Sequence, residues 1–132
     1  MTERNIYVMD IIVDKMAEGA KLSKALKLVY SKRNVCIPDR KEMFDVSLMD
    51  LGMTSRTTNA LLRAKFRTLG EVVEFCKTEK ITKVTNLGRT SGIELFETIL
   101  DYCWDHMSSK DREIFLIDAV ERNSKYIREE IA

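Results

Sequence analysis

Residues 86–94 read Asn-Leu-Gly-Arg-Thr-Ser-Gly-Ile-Glu, and thirty residues upstream stands Arg56-Thr57-Thr58-Asn59. A turn at Gly88 that opens a helix leaves backbone N–H groups free at the positive end of the helix dipole, an arrangement that suits a phosphate. Glycine at that position would supply a left-handed turn that other residues resist. Arg56 and Asn59 lie three residues apart, so a helix puts both on one face. An arginine and an amide beside a phosphate-binding turn point to a nucleic-acid clamp.

The surrounding pattern is helical almost throughout, and the expected fold class is all-α, a compact helical domain with a helix-hairpin-helix element. Thr54 or Ser55 caps a helix of about residues 55–65. Thr68 caps the next, with Glu71 three residues later in capping-box register. Ile81 and Val84 fit one short turn before Asn86-Leu87-Gly88, and Ile93, Phe96, Leu100, Cys103 and Trp104 give the main stripe of a helix from about Arg89 to Asp105. Toward the N-terminus, Ile6, Met9, Val13 and Met16 mark a helical face, Gly19 breaks the pattern, and Leu22, Ala25, Leu26 and Val29 mark a second helix. The first of these helices is apolar on other sides too, through Tyr7, Val8, Ile11 and Ile12, so it reads as buried or paired with a partner, including a second copy of the protein. Val35-Cys36-Ile37-Pro38 is the one expected extended segment, and 38–46 reads as a connector. Ser108 or Ser109 caps a last helix, whose end from Tyr126 to Ala132 is expected to fray. The expected division is residues 1–45 as an N-terminal helical extension, 46–107 as the central domain, and 108–132 as a C-terminal helix packed on that domain.

A hydrophobic content of 45% is enough for a core, and no apolar run reaches membrane-spanning length. Glu3, Asp10 and Asp14 interrupt the N-terminal apolar residues, so no signal peptide is read there, and a soluble cytoplasmic protein is expected. Cys36, Cys76 and Cys103 are widely spaced and show no Cys-x-x-Cys, which argues against a zinc site. The net charge of +1 hides a division: residues 54–91 hold eight basic and three acidic residues, whereas residues 92–132 hold five basic and ten acidic. The middle of the sequence therefore faces an anion and the last third does not.

The pattern Val46…Leu51-Gly52-Met53-Thr54-Ser55-Arg56-Thr57-Thr58-Asn59-Ala60-Leu61, then Thr68-Leu69-Gly70-Glu71-Val72-Val73, then Val84-Thr85-Asn86-Leu87-Gly88-Arg89-Thr90-Ser91…Glu94 resembles the C-terminal domain of the bacterial RNA polymerase alpha subunit. The resemblance covers residues 46–105. It implies a compact helical domain that binds double-stranded DNA, especially the minor groove of A/T-rich elements, and that also contacts activators. It implies that Arg56 is the main minor-groove arginine, with Asn59 beside it. It further implies that Gly88 and Ser91 hold phosphates, and that Glu94 helps orient the arginine. Arg89 and Thr90 complete the expected DNA-binding set. The sequence departs from the resemblance at Ala60, where the family usually has cysteine or a small polar group. It departs again at Arg89-Thr90, where two lysines are common. A small helical extension stands where the polymerase subunit has its large assembly domain.

No nucleophile pattern, nucleotide-binding phosphate loop or metal cluster stands out, so no enzyme, cofactor or metal is expected. Glu94, Glu97, Asp101 and Asp105 recur at helical spacing and read as a solvated acidic face. His106 is the single histidine. Residues 5–33 could form a helix-turn-helix reader presenting Lys24, Lys27, Lys32 and Arg33, but the first helix is too apolar for that, and a packing or dimerising role is expected instead. The leading expectation is a DNA-binding module acting in transcription or its regulation. The rival is a protein-interaction adaptor of the same fold that binds RNA polymerase, a sigma factor or an activator without touching DNA. A helix-hairpin-helix accessory of a DNA-processing machine is a third.

Overall fold

The computed structural model describes residues 1–35, 45–84 and 86–131. The expected extended segment at Cys36–Pro38 and most of the connector at 38–46 lie outside the described residues, as does Thr85. Six α-helices occur among the described residues: α1 (Glu3–Ala17), α2 (Leu22–Val29), α3 (Ser55–Arg63), α4 (Leu69–Thr78), α5 (Arg89–Asp105) and α6 (Ser109–Arg122). Single 3-10 turns sit at Leu48–Asp50, Ile81–Lys83 and Ser124–Tyr126. Only isolated bridges, and no strands, occur among the described residues, so the all-α expectation holds. No helix among them is long and apolar enough to cross a membrane.

The protein divides into two units, one formed by Met1–Ile37 with Trp104–Ala132 and the other by Pro38–Cys103. The expected three-part division places the last helix on the central domain. Instead α6 belongs with the N-terminal helices, because α1 packs on both α2 and α6.

In the terminal unit, Thr2 caps α1 by accepting the Asn5 N–H at 3.1 Å. The helix stops where Gly19 takes a φ of 108°. The Gly19 N–H then bonds the Met16 carbonyl and the Ala20 N–H the Lys15 carbonyl, both at 3.0 Å, the pattern of a glycine C-cap. Val8 and Ile12 of α1 join Leu22, Ala25, Leu26 and Val29 of α2 and Phe115, Leu116, Ala119 and Val120 of α6 as buried residues. The opposite side of α1 leaves Ile6, Tyr7 and Val13 exposed. The C-terminal segment is held where fraying was expected. The Ser31 N–H bonds the Tyr126 carbonyl at 2.9 Å, the Arg128 N–H bonds the Val29 carbonyl at 2.8 Å, and Tyr30 bridges Ile127. Asn123, fully buried, accepts the Asn34 N–H at 2.6 Å and donates to the Ala119 carbonyl at 2.7 Å. These bonds tie the segment after α6 to the segment after α2. Sequence periodicity carries no sign of them.

In the central unit, α3 ends with Lys65 in the left-handed region, φ 75°, where glycine is usual. α4 begins with a complete capping box: Thr68 accepts the Glu71 N–H at 3.3 Å, and the Glu71 carboxylate accepts the Thr68 N–H at 2.9 Å. That carboxylate also takes the Arg67 N–H at 2.8 Å. The Arg67 and Thr68 N–H bonds hold the Glu71 carboxyl below the usual glutamate range. The Leu48 N–H to Arg67 carbonyl and Leu69 N–H to Val46 carbonyl bonds, 3.1 and 2.8 Å, fasten the segment before α3 to the start of α4. The core is Leu48, Ala60, Leu61, Leu69, Val72, Val84, Leu87, Leu95, Ile99, Leu100 and Cys103. Together they fix α3, α4, α5 and the turn before α5 around one apolar centre.

Candidate nucleic-acid interface

Thr54 sets the direction of α3. Its hydroxyl accepts the Thr57 N–H at 3.4 Å, and Thr57, Ala60 and Leu61 turn inward, buried. The residues on the other side of the helix, Arg56, Asn59 and Arg63, are therefore turned outward, at spacings of three and seven that keep them on one face. Glu94 of α5 holds this start from outside the helix. One of its carboxylate oxygens accepts the Thr54 N–H at 2.8 Å and the Thr54 hydroxyl at 3.1 Å. Glu94 thus positions the helix that carries Arg56 through its cap.

The turn before α5 is pinned by two buried residues, Val84 and Leu87, joined by a bond from the Leu87 N–H to the Val84 carbonyl at 3.1 Å. Between them Asn86 takes the left-handed conformation, φ 68°. The expectation that Gly88 supplies that conformation is corrected. Asparagine visits this region more readily than most residues, because its short polar side chain can bond locally. Gly88 is not among the residues with positive φ, and a Cβ built on it would meet nothing within 4 Å. The absent side chain leaves the backbone at the start of α5 open. The Gly92 N–H bonds the Gly88 carbonyl at 2.9 Å as the helix begins, so the N–H groups of Arg89, Thr90 and Ser91 precede the first intrahelical bond. No acidic residue occupies the first turn of α5, and the positive dipole end is left without an internal counter-charge.

α3 and this turn face each other across a groove of about 710 Å³, lined by Arg56, Asn59, Ala60 and Arg63 on one side and by Lys83, Val84, Asn86, Leu87 and Gly88 on the other. No carboxylate is among the lining residues. Among the described residues the side chains of Arg56, Asn59, Arg63 and Arg89 make no hydrogen bond or ion pair. Lys83 differs, because its ammonium is 2.5 Å from the Glu79 carboxylate. Guanidinium groups present a planar fork matched to phosphate oxygens, and the two amides add donors and acceptors. The lining of the groove is thus cationic and polar.

Of the residues expected from the sequence, Arg56, Asn59 and Gly88 are brought together. Arg89 and Thr90 are exposed next to Gly88 but do not line the groove. Ser91 is 6% exposed and packs inward. Glu94 is occupied by the Thr54 cap. Arg63, Lys83 and Asn86 were not expected. The signal for Arg63 was present, seven residues after Arg56 and four after Asn59, both same-face spacings. No group of three His, Cys, Asp or Glu residues among the described ones is placed to hold a metal ion.

Fold and groove together define a small all-α domain with a cationic cleft between a capped helix and a helix-opening turn. The protein belongs to the family described as the C-terminal domain of the bacterial RNA polymerase alpha chain, whose sequence pattern matches residues 36–101, half of the sequence. No curated protein and no solved structure gives a match. Membership points to a transcription-related role, through DNA or through RNA polymerase.

Proposed function

We propose that the protein grips double-stranded DNA, inserting Arg56 into the minor groove of an A/T-rich segment while Arg63, Arg89 and the opening backbone of α5 meet phosphates. The observation that carries this reading is the carboxylate-free groove between Arg56, Asn59 and Arg63 on α3 and Asn86 and Gly88 on the turn. A narrow A/T-rich minor groove concentrates negative potential and draws in arginine. Readout there is coarse, A·T against G·C. A single copy should bind weakly, within roughly 10⁻⁴ to 10⁻⁶ M at physiological salt. The deciding experiment is a titration of the full-length protein with A/T-rich and G/C-rich duplexes at low salt. Arg56→Ala should weaken A/T-rich binding about tenfold and flatten the salt slope by about 0.9, the share of one phosphate-level contact. Arg56 is exposed, so its removal leaves the core untouched. Equal binding by variant and wild type would sink the reading.

A second reading has its own observation. Met49 is 72% exposed and Ile93 45% exposed in the central unit, an apolar offering that DNA does not need. Under this reading the domain docks on RNA polymerase, a sigma factor or an activator. Capture of such a protein by a domain that shifts no duplex would favour it. Ile6, Tyr7 and Val13 on α1 carry the related proposal of a homodimer through the N-terminal helices. A sedimentation profile that does not change with concentration would remove it.

A further inference from the structure

The stretch from Gly19 to Pro38 contains Lys21, Lys24, Lys27, Lys32 and Arg33 and not one Asp or Glu, in a sequence of 132 residues with 21 acidic ones. The structure sorts these cations. Leu22, Ala25, Leu26 and Val29 of α2 are buried, and Lys21, Lys24, Lys27 and Lys32 are all exposed. Arg33 is drawn inward, donating from Nη1 to the Ser23 carbonyl at 3.3 Å. The four lysines make no ion pair among the described residues, whereas the neighbouring Lys15 is paired with Glu18 at 3.5 Å.

Folding alone does not favour this arrangement. Lys21 is the N-cap of α2 and makes no side-chain cap bond. Lys21 and Lys24 both lie at the positive end of the helix dipole, where cations are disfavoured. Lys21 and Lys24, and Lys24 and Lys27, are like charges three apart, which repel. Lys27, in the last turn, suits the dipole, but Lys21 and Lys24 work against their own helix, and all three are exposed without carboxylate partners among the described residues, which fits an external anion. The rise from Lys21 to Lys27 is about 9 Å, the axial span of roughly three successive phosphates of one strand.

We infer that the outer face of α2, through Lys21, Lys24 and Lys27, is a second contact surface for the phosphate backbone of nucleic acid. It contributes affinity without sequence readout. The buried residues of α2 serve the core, and its outer face carries the lysines together with Leu28, 46% exposed and four residues after Lys24. The surface lies in the terminal unit, outside the groove, and does not depend on the groove reading.

The test is a residue-resolved NMR titration of the full-length protein with a short A/T-rich duplex. It is paired with the salt dependence of binding for the wild type and for Lys21→Gln/Lys24→Gln/Lys27→Gln. All three lysines are exposed, so the variant should keep the wild-type circular dichroism. The amides of α2 should shift on adding DNA. The variant's salt slope should be shallower by about two to three units, near 0.9 per lost contact, with the A/T preference unchanged. Silent α2 amides, or an unchanged slope, would overturn the inference. Groove residues that respond while α2 stays silent would overturn it and leave the groove reading standing. The reverse pattern, with the expected fall in slope, would uphold it and remove the groove reading. A protein that binds phosphatidylserine vesicles and no duplex would overturn both.

Discussion

Glu79 sets how much positive charge the groove can present, and Glu79→Gln should make the protein bind DNA more tightly. Lys83 lines the groove, yet its ammonium lies 2.5 Å from the Glu79 carboxylate. The pair spans i and i+4, with side chains 65% and 42% exposed. Such a surface pair contributes only about 0.2–1 kcal/mol to stability, so its loss should barely move the melting temperature. Releasing Lys83 adds one phosphate contact, which steepens the slope of log K against log salt by about 0.9. Referred to a common value at about 1 M salt, that slope is worth about 15-fold in affinity near 50 mM and about fourfold near 200 mM. The ratio between the two gains, about 3.5, needs no reference state, because it is the fourfold salt step raised to the power 0.9. Fluorescence anisotropy of a labelled duplex at the two salt concentrations measures it directly. Glu79→Gln/Lys83→Gln should bring the affinity back to the wild-type range, which assigns the gain to the freed ammonium. A Glu79→Gln variant no tighter than wild type near 50 mM, or a gain that does not shrink with salt, would refute the reasoning.

Two further outcomes are expected. Asn86 holds φ 68°, so Asn86→Val should destabilise the fold by about 1–2 kcal/mol. Asn86→Gly should keep stability within about 0.5 kcal/mol and still lose the amide from the groove, so chemical denaturation and DNA titration of the two variants separate backbone from contact. Tyr30 is 1% exposed, its hydroxyl finds no partner among the described residues, and burial pushes its phenol from 10.0 up to about 12. The unfolded state therefore ionises first, and stability should fall as pH rises from about 10 to about 12 and level off beyond it. Tyr30→Phe should abolish that alkaline step in a series of denaturation curves. A step that survives the substitution assigns it to another group.

The helices were legible where one face is buried and a hydroxyl stands at the start, as at Thr54, Thr68 and Ser108. In each of these the cap and the apolar spacing are local properties of fewer than ten residues. The partnership of the two ends of the sequence was not legible. It rests on the Asn34–Asn123 bond and the Tyr30–Ile127 bridge, contacts between residues far apart in sequence that leave no periodic trace. At the site, Arg56 and Asn59 could be paired from their spacing, but the turn misled. Asn86-Leu87-Gly88 offers two residues able to take positive φ, and sequence preference points to glycine. The structure places the positive φ at Asn86, just before the buried Leu87. Ser91 stands in the first turn of α5 with its side chain buried, which the sequence did not indicate.

Under the proposed DNA-binding reading, the cation missing at Thr90 is offset from the other wall. The resemblance to the polymerase family places two lysines after the turn glycine, and this protein has Arg89 and an uncharged Thr90. Arg63 extends the α3 wall two helical turns beyond Arg56, about 10 Å further along the axis, and its guanidinium is unpaired among the described residues. In the proposed complex a minor groove about 6 Å wide has a phosphate strand on each side. A cleft with arginines on α3 and with the α5 start opposite, joined by Lys83 once it leaves Glu79, offers positive charge to both strands. Crowding two cations into one turn would favour one strand and repel internally. The affinity of this groove therefore depends less on Thr90 than on whether Glu79 keeps Lys83.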